Sequence, residues 1–128
     1  MTYNELSSKI IGAAIEVHRE MGPGLLESVY EECLVHVLRE MGLRVETQVQ
    51  VPILFRGRTL GTPLRSDVLV EGRVIVEVKA VETIIDIFMV KTLSYLRLSD
   101  RKLGLVINFH EVRLKDGIRR VVNGLAEE

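Results

Sequence analysis

Two charged residues interrupt an apolar stretch of the chain, Val74-Ile75-Val76-Glu77-Val78-Lys79-Ala80. If this stretch is a strand, alternation places Ile75, Glu77 and Lys79 on one face and the smaller apolar residues on the other. A strand this rich in valine is expected to be buried, where ionised groups are costly unless they are paired or bind a metal. Glu77 and Lys79 are therefore the first candidates for chemistry.

A third charged residue, Asp67, lies in the preceding predicted strand, Leu64-Arg65-Ser66-Asp67-Val68-Leu69-Val70. A turn centred on Glu71-Gly72 would bring Asp67 and Glu77 to roughly opposite positions. Two carboxylates about one side-chain width apart repel unless a cation lies between them, and oxygen ligands suit Mg²⁺ or Mn²⁺. Such a cation would polarise a phosphodiester and acidify water, and Lys79 would steady the attacking hydroxide or the developing phosphorane charge.

A cross-strand salt bridge on a solvated sheet face would account for the same three residues without catalysis. An Asp followed later by Glu-x-Lys is a short pattern that often occurs by chance. The spacing alone leaves both interpretations open.

Hydrophobic periodicity predicts the elements that would position these residues. Helices are predicted over residues 3–21, 26–41 and 86–98, and strands over 45–53, near 59, and over 65–70, 73–81 and 103–109. Residues 114–125 mix turn chemistry with apolar positions, which leaves a short strand and a helical turn open. The first strands are expected to form hairpins, and the helix over 86–98 to join parallel strands. The predicted fold is α/β, a mixed sheet flanked by helices.

The strand over residues 45–53 shows a period of two, and every second residue from Val45 to Ile53 is expected on one face. Pro52 indicates a sheet edge or a bulge, because proline has no amide to donate to a neighbouring strand.

The order of elements, with Asp67 and Glu77-Val78-Lys79, resembles the PD-(D/E)xK nuclease superfamily. The segment Gly24-Leu25-Leu26-Glu27-Ser28-Val29-Tyr30-Glu31 resembles the motif that names the GxxExxY family, a bacterial branch of that superfamily. Residues 11–18, 74–82 and 114–120 also match, so the resemblance covers nearly the whole chain. It implies a restriction-endonuclease-like core and a Mg²⁺-dependent or Mn²⁺-dependent nuclease that acts on DNA or RNA. It also implies that a nuclease this small works as a homodimer or with partners.

The resemblance implies roles for individual residues. Asp67, Glu77 and the Val78 carbonyl would bind the metal, and Lys79 would be the catalytic lysine. Glu27 would correspond to the helical acid that exonuclease-like members add to the metal site, although a first-turn acid is also explained by the helix dipole.

Two further residues are candidates for substrate binding. Tyr30 lies one turn after Glu27 and faces the same way, but its place in an apolar helical stripe equally predicts a core residue. His18 stands just before the Gly22-Pro23-Gly24 loop, where a histidine at a helix end also caps carbonyl groups.

One segment departs from the family pattern. Related sequences usually carry a His-Glu-Ala-Gln-like run on the third helix, whereas this chain has Phe88-Met89-Val90-Lys91. Lys91 would either replace the glutamine as a second catalytic, phosphate-binding cation or occupy the metal's place and silence the site. Phe88 and Met89 would lie in the core or at a homodimer contact. The alternative to an active nuclease is therefore a degenerate nuclease fold serving as a binding or assembly module.

Length and composition set the remaining expectations. A chain of 128 residues with 47% hydrophobic and 27% charged residues predicts one nuclease-like domain over residues 1–128. A net charge of −1 gives no global field for a polyanion, so any nucleic-acid contact must be local. The single Cys33 is expected to be a small buried hydrophobe in a reducing compartment. With neither a secretory signal pattern nor a membrane-spanning stretch, a cytoplasmic location is expected.

Overall fold

The structure, a computed structural model, describes residues 1–126. The elements in chain order are α1 (Tyr3–Met21), α2 (Glu27–Glu40), β1 (Val45–Val51), β2 (Leu54–Phe55), β3 (Arg58–Thr59), β4 (Leu64–Val70), β5 (Val74–Lys79), α3 (Asp86–Ser99), β6 (Leu103–Asn108), a 3₁₀ helix (Leu114–Gly117) and β7 (Ile118–Val122). The main sheet has the order β1-β4-β5-β6-β7, and β2 and β3 form a separate hairpin. Only β5 and β6 pair in parallel within it. The predicted mixed α/β fold is confirmed.

The sheet has an apolar core on each face. Helices α1 and α2 pack on one face, where they bury Val74, Val76 and Val78 of β5. Helix α3 packs on the other face through Tyr95 and Leu96, which contact the core around Ile75. The alternation predicted for β5 is therefore confirmed, and Glu77 lies on the α3 face of the sheet.

The predicted helix boundaries hold to within one or two residues. Thr2 caps α1, since its hydroxyl accepts a hydrogen bond from the Glu5 amide at 3.0 Å while the Glu5 carboxylate accepts one from the Thr2 amide at 3.3 Å. The apolar stripe of α2 is shorter than predicted. Leu26 and Met41 are cap residues, and both side chains are exposed.

The prediction that residues 45–53 form one strand with a single apolar face is wrong. Val45 packs in the core beneath α1 and α2, whereas Val49 packs in the core beneath α3. Between them Gln48 has φ of +51°, a left-handed conformation that turns the following residues to the opposite face. The strand ends at Val51, and its position at the sheet edge agrees with the one predicted from Pro52.

Strands β4 and β5 separate where the candidate residues lie. Their paired residues run from Val70↔Val74 to Val68↔Val76 and end there. Strand β5 nevertheless stays paired with β6 as far as Lys79↔Asn108. The β4-facing edge of β5 is therefore open beyond Val76, and this opening is called the β4–β5 gap.

Both alternatives left open for residues 114–125 are present, because the 3₁₀ helix runs directly into β7. The half-buried Cys33 is a free thiol packed against the α1/α2 core. Among the described residues, no helix combines the length and the apolar composition needed to cross a bilayer.

Gly104 sets the distance between α3 and β6. A Cβ atom added at this position would lie 2.7 Å from Cγ2 of Thr92 and 3.6 Å from the Ile75 carbonyl oxygen. Thr92 has little freedom to yield, because it is buried and its hydroxyl donates a hydrogen bond to the Phe88 carbonyl at 2.8 Å. Helix α3 therefore lies against this glycine.

We expect Gly104→Ala to lower the free energy of unfolding by about 1–3 kcal/mol, the usual cost of overpacking a core. Urea denaturation followed by circular dichroism measures it. Thr92→Ser removes the clashing methyl and keeps the hydroxyl, so Gly104→Ala/Thr92→Ser should recover much of the loss. Equal destabilisation with and without Thr92→Ser would contradict this account of how α3 is seated.

Candidate functional site

The Asp67 side chain lies in the β4–β5 gap. Its Oδ2 accepts a hydrogen bond from the Val78 amide at 3.0 Å. In a continuing antiparallel ladder, a main-chain carbonyl of β4 would be the acceptor for that amide. The aspartate thus replaces the ladder contact, which fixes its carboxylate at the level of the sheet.

The Val78 carbonyl faces the same gap. The N–H and C=O groups of one strand residue point to the same edge, and the Val78 amide points toward Asp67. The next residue has the opposite orientation, since the Lys79 carbonyl accepts a hydrogen bond from the Phe109 amide at 2.8 Å on the β6 side. A second oxygen atom that could bind a metal therefore faces the β4–β5 gap.

Glu77 is a buried acid, and one of its carboxyl oxygens has no hydrogen-bond partner. Its side chain is 5% exposed, and Oε1 has no hydrogen-bond donor. Burial raises the pKa of Glu77 to about 9, assisted by the Asp67 charge and by a hydrogen bond with the Asp67 carboxylate. Lys79 and the Asp67 main-chain amide oppose this shift. Without a cation, Glu77 is therefore protonated at neutral pH and in contact with Asp67.

The Lys79 ammonium contacts an aromatic ring and not a carboxylate. Its ammonium lies 4.7 Å from the centroid of the Phe88 ring, a cation–π contact. Within residues 1–126, it forms no ion pair within 4.0 Å with Asp67 or Glu77. The interpretation of these residues as an ordinary cross-strand salt bridge is therefore wrong.

Lys91 approaches the carboxyl pair from α3. Its ammonium lies 5.6 Å from the centroid of the Tyr95 ring. A hydrogen bond with Tyr95 raises the pKa of Lys91, with smaller contributions from the negative charges of Glu77 and Asp67, while burial opposes the rise. Over the described part of the chain, Lys91 has no ion pair within 4.0 Å with either acid. The Lys91 ammonium therefore interacts with Glu77 and Asp67 through longer-range electrostatics and does not lie between their carboxyl groups.

Glu31 on α2 interacts electrostatically with Asp67. It was not among the residues predicted for the site. Burial raises the pKa of Glu31, followed by the negative charge of Asp67 and, more weakly, that of Glu27. Gln48 opposes the shift by donating hydrogen bonds to both Glu31 oxygens, at 3.0 and 3.3 Å. Glu27 itself is exposed in the first turn of α2. The spacing of Glu27 and Glu31, one helical turn apart, was the available signal for this second acid.

Tyr30 is a core residue, as its place in the apolar stripe of α2 predicts. It is fully buried, and its ring stacks on Phe109 with centroids 4.6 Å apart. Its hydroxyl donates to the Gly22 carbonyl at 2.5 Å and accepts from the Leu25 amide at 3.0 Å. The side chain thus holds the loop between α1 and α2, and no part of it is open to a substrate.

His18 is used to hold a loop. Its Nε2 donates to the Glu111 carbonyl at 2.7 Å, which joins the end of α1 to the segment after β6. The Glu111 side chain accepts from Nδ2 of buried Asn108 at 3.2 Å. Asn108 also bonds both main-chain polar atoms of Val81, at 3.0 and 2.8 Å, and so fixes the chain just beyond Lys79. Asn108 ends a nearly continuous apolar run, so the sequence gives no signal of this role.

The oxygen atoms around the β4–β5 gap match the ligands that a divalent cation prefers. The Asp67 and Glu77 carboxyl groups are in contact, the Val78 carbonyl faces the same gap, and Glu77 Oε1 has no hydrogen-bond partner. Among the described residues, no three His, Cys, Asp or Glu side chains converge as a complete metal cage. Two carboxylates with water and substrate oxygens are nevertheless the usual protein environment of Mg²⁺. The donor set therefore fits a hard cation.

Comparison with known proteins gives a family. No curated protein and no solved structure matches the chain. The sequence profile of the PD-(D/E)XK nuclease superfamily matches residues 4–121, which extend from the first turn of α1 to Val121 of β7. With its mixed sheet, its flanking helices and its Asp67 and Glu77-Val78-Lys79 arrangement, the chain belongs to the PD-(D/E)XK nuclease superfamily.

Proposed function

We propose that this protein is a Mg²⁺-dependent or Mn²⁺-dependent phosphodiester hydrolase that cleaves DNA or RNA at the β4–β5 gap. Within the superfamily we assign it to the GxxExxY branch, on the strength of residues 24–31. The proposal rests on the Asp67–Glu77 pair. Glu77 is buried, its Oε1 accepts no hydrogen bond, and its carboxyl group contacts the Asp67 carboxylate. Two buried carboxylates in contact are costly when both are ionised, unless a cation offsets their charge.

Asp67, Glu77 and the Val78 carbonyl would hold the cation. When bound, it supplies Lewis acidity to the scissile phosphate and acidifies water. Glu77 gives up its proton as it becomes a ligand, because a coordinating carboxyl must be ionised. Asp67 is held in place by the Val78 amide, so its carboxylate needs no reorganisation before binding.

Lys79 would stabilise the charge that develops on the phosphoryl oxygens. The Phe88 ring orients its ammonium at 4.7 Å and replaces part of its hydration. The departure at Phe88 from the usual family pattern thus has a role in this site, since the aromatic ring positions the lysine.

The decisive experiment is cleavage by purified protein of labelled single-stranded and double-stranded DNA and RNA. We expect products with Mg²⁺ or Mn²⁺ and none in EDTA. Glu77→Gln should be inactive, and Glu46→Gln, which neutralises an exposed acid on β1, should match the wild type. If no substrate is cut with either metal, the proposal is wrong.

Lys91 is proposed as a second cation for the substrate phosphates. Lys91→Gln should lower kcat/KM by about a hundred-fold, as expected for the loss of one charge-stabilising donor, without weakening Mg²⁺ binding. Arg97→Gln, at an exposed position of the same helix, is the matched control. Titration calorimetry and steady-state kinetics provide the two readouts. If Lys91 occupied the metal's place, Lys91→Gln would instead tighten Mg²⁺ binding and increase cleavage.

One observation favours a second candidate, a binding or assembly module. Phe88 and Met89 are half-buried against the α3 core, but Ile85, Ile87 and Val90 beside them are each more than half exposed. An apolar strip next to the site is the kind of surface that a homodimer or a partner covers. Light scattering of wild type and Ile87→Glu/Val90→Glu tests this: a dimer that the double variant dissociates would support it, and a monomeric wild type would oppose a homodimer.

A further inference from the structure

The β2–β3 hairpin stands apart from the main sheet and is unusually apolar for an exposed element. Residues 53–60, called here the hairpin arm, form a two-stranded sheet of their own, closed by a hydrogen bond from the Leu60 amide to the Ile53 carbonyl at 2.9 Å. Leu54 and Phe55 are 62% and 58% exposed, and Leu60 is also exposed. Large apolar side chains gathered at such a tip generally mark a contact surface.

The arm is also positively charged. Between Glu46 and Asp67 the chain contains three arginines, Arg56, Arg58 and Arg65, and no acidic residue. The protein as a whole has a net charge of −1, so this segment of 20 residues concentrates positive charge locally. Local positive charge is the electrostatic requirement for contact with a phosphate backbone.

The tip of the arm has an arginine in a left-handed backbone conformation. Arg56 and Gly57 have φ of +50° and +79°, the left-handed pair of a two-residue hairpin turn that is usually occupied by Asn-Gly. The Arg56 guanidinium lies 5.2 Å from the centroid of the Phe55 ring. The tip thus presents a guanidinium group and an exposed aromatic ring side by side.

We propose that the hairpin arm binds single-stranded nucleic acid. Phe55 stacks with an unpaired base, and Arg56 and Arg58 contact the adjoining phosphates, which is the combination found in single-strand binding surfaces. A duplex hides its base faces, so a stacking ring selects unpaired nucleotides. The arm lies between β1 and β4, which pair at Val51↔Leu64, and β4 also carries Asp67, so β4 connects the arm directly to the β4–β5 gap. The inference rests on the proposed function, because it names the substrate form delivered to that site.

The test is fluorescence anisotropy with a labelled oligothymidylate of about 20 nucleotides and a duplex of equal length, in EDTA. We expect tighter binding to the single strand. Phe55→Leu should weaken that binding by about 5-fold or more without changing its salt dependence. Arg56→Asn/Arg58→Gln should flatten the plot of log Kd against log salt by about 1.4, since two phosphate contacts are lost.

Matched controls keep this result interpretable. Lys9→Gln/Arg97→Gln removes the same charge from exposed helical positions and should leave the slope unchanged. Arg56→Asn creates the preferred Asn-Gly turn, so thermal melting should show no loss of stability. Equal affinity of wild type and arm variants, preference for the duplex, or dissociation of a dimer by the arm variants would each overturn the proposal, the last in favour of a protein interface.

Failure of the arm can be distinguished from failure of the site. Binding in EDTA does not require catalysis, so Asp67→Asn should still bind oligothymidylate through the arm. Cleavage of bis(p-nitrophenyl) phosphate by the wild type tests the site alone, because this small phosphodiester has no strand to lie along the arm. An inactive protein that binds single strands would refute only the proposed function.

Discussion

Asp67→Asn is expected to reduce metal-dependent cleavage by about a thousand-fold or more and to leave the fold unchanged. The asparagine carbonyl can still accept the hydrogen bond from the Val78 amide, now at 3.0 Å to Asp67 Oδ2, so the β4–β5 gap keeps its shape. What is lost is a negative charge at the proposed cation position. A loss of about 4 kcal/mol of transition-state stabilisation corresponds to the expected thousand-fold change in rate.

Two further variants separate charge from structure at this position. Asp67→Ala removes the acceptor as well, so it should be inactive and also less stable by about 1–3 kcal/mol, the cost of an unsatisfied buried amide. Glu16→Gln, at an exposed position of α1, should match the wild type in both measurements. Single-turnover cleavage and urea denaturation provide the data. Cleavage by Asp67→Asn at the wild-type rate would remove Asp67 from the site.

The position of the acidic pair could be predicted because two strong local signals agree. The alternation in β5 assigns Glu77 to a face, and the turn at Glu71 and Gly72, with φ of +54° and +64°, sets the register that places Asp67 at the same level. Both signals arise from neighbouring residues in the chain. The site geometry that depends on this one hairpin was therefore accessible from sequence.

The opening between β4 and β5 was not predictable from strand patterning. A period of two reports which face a side chain occupies, but it carries no information on where a ladder of hydrogen bonds ends. The ladder ends here because the Asp67 carboxylate takes the Val78 amide. Competition between a side chain and the main chain for one donor is decided in the folded protein.

Gln48 and Glu31 were missed for a related reason. Glutamine has no marked preference for the left-handed conformation, so nothing local predicts the change of face within β1. Gln48 lies opposite Asp67, between the pairs Thr47↔Val68 and Val49↔Ser66, and its side-chain amide donates a hydrogen bond to Glu31 of α2. The emphasis on Glu27 came from a motif, whereas the rotation of α2, set by buried Tyr30, directs Glu31 toward Asp67.

The second large effect concerns the stability of Glu77→Gln relative to the wild type. We expect the variant to be the more stable protein without metal and the wild type to be the more stable one with Mg²⁺. In the metal-free protein the folded pKa is about 9, against an ordinary value of 4.5. Between these values the folded state keeps a proton that the unfolded state releases, so stability is full below about pH 4.5 and falls as pH rises toward 9. Glu77→Gln removes the titrating group and should flatten this slope.

At pH 8 in EDTA, Glu77→Gln should therefore be more stable than the wild type by about 2 kcal/mol, since each pKa unit is worth about 1.4 kcal/mol and relaxation reduces the full effect. Mg²⁺ should stabilise the wild type and leave Glu77→Gln unchanged, because only the ionised carboxylate binds the cation. Urea denaturation across pH, with and without Mg²⁺, measures both effects, and Glu46→Gln should behave as the wild type throughout. Calorimetry in buffers of different ionisation enthalpy should show about one proton released per Mg²⁺ bound. If the stability of the wild type did not fall between pH 5 and 9, Glu77 would be ionised in the folded protein without metal. The buried pair would then be stable without a cation, which would contradict the proposed metal site.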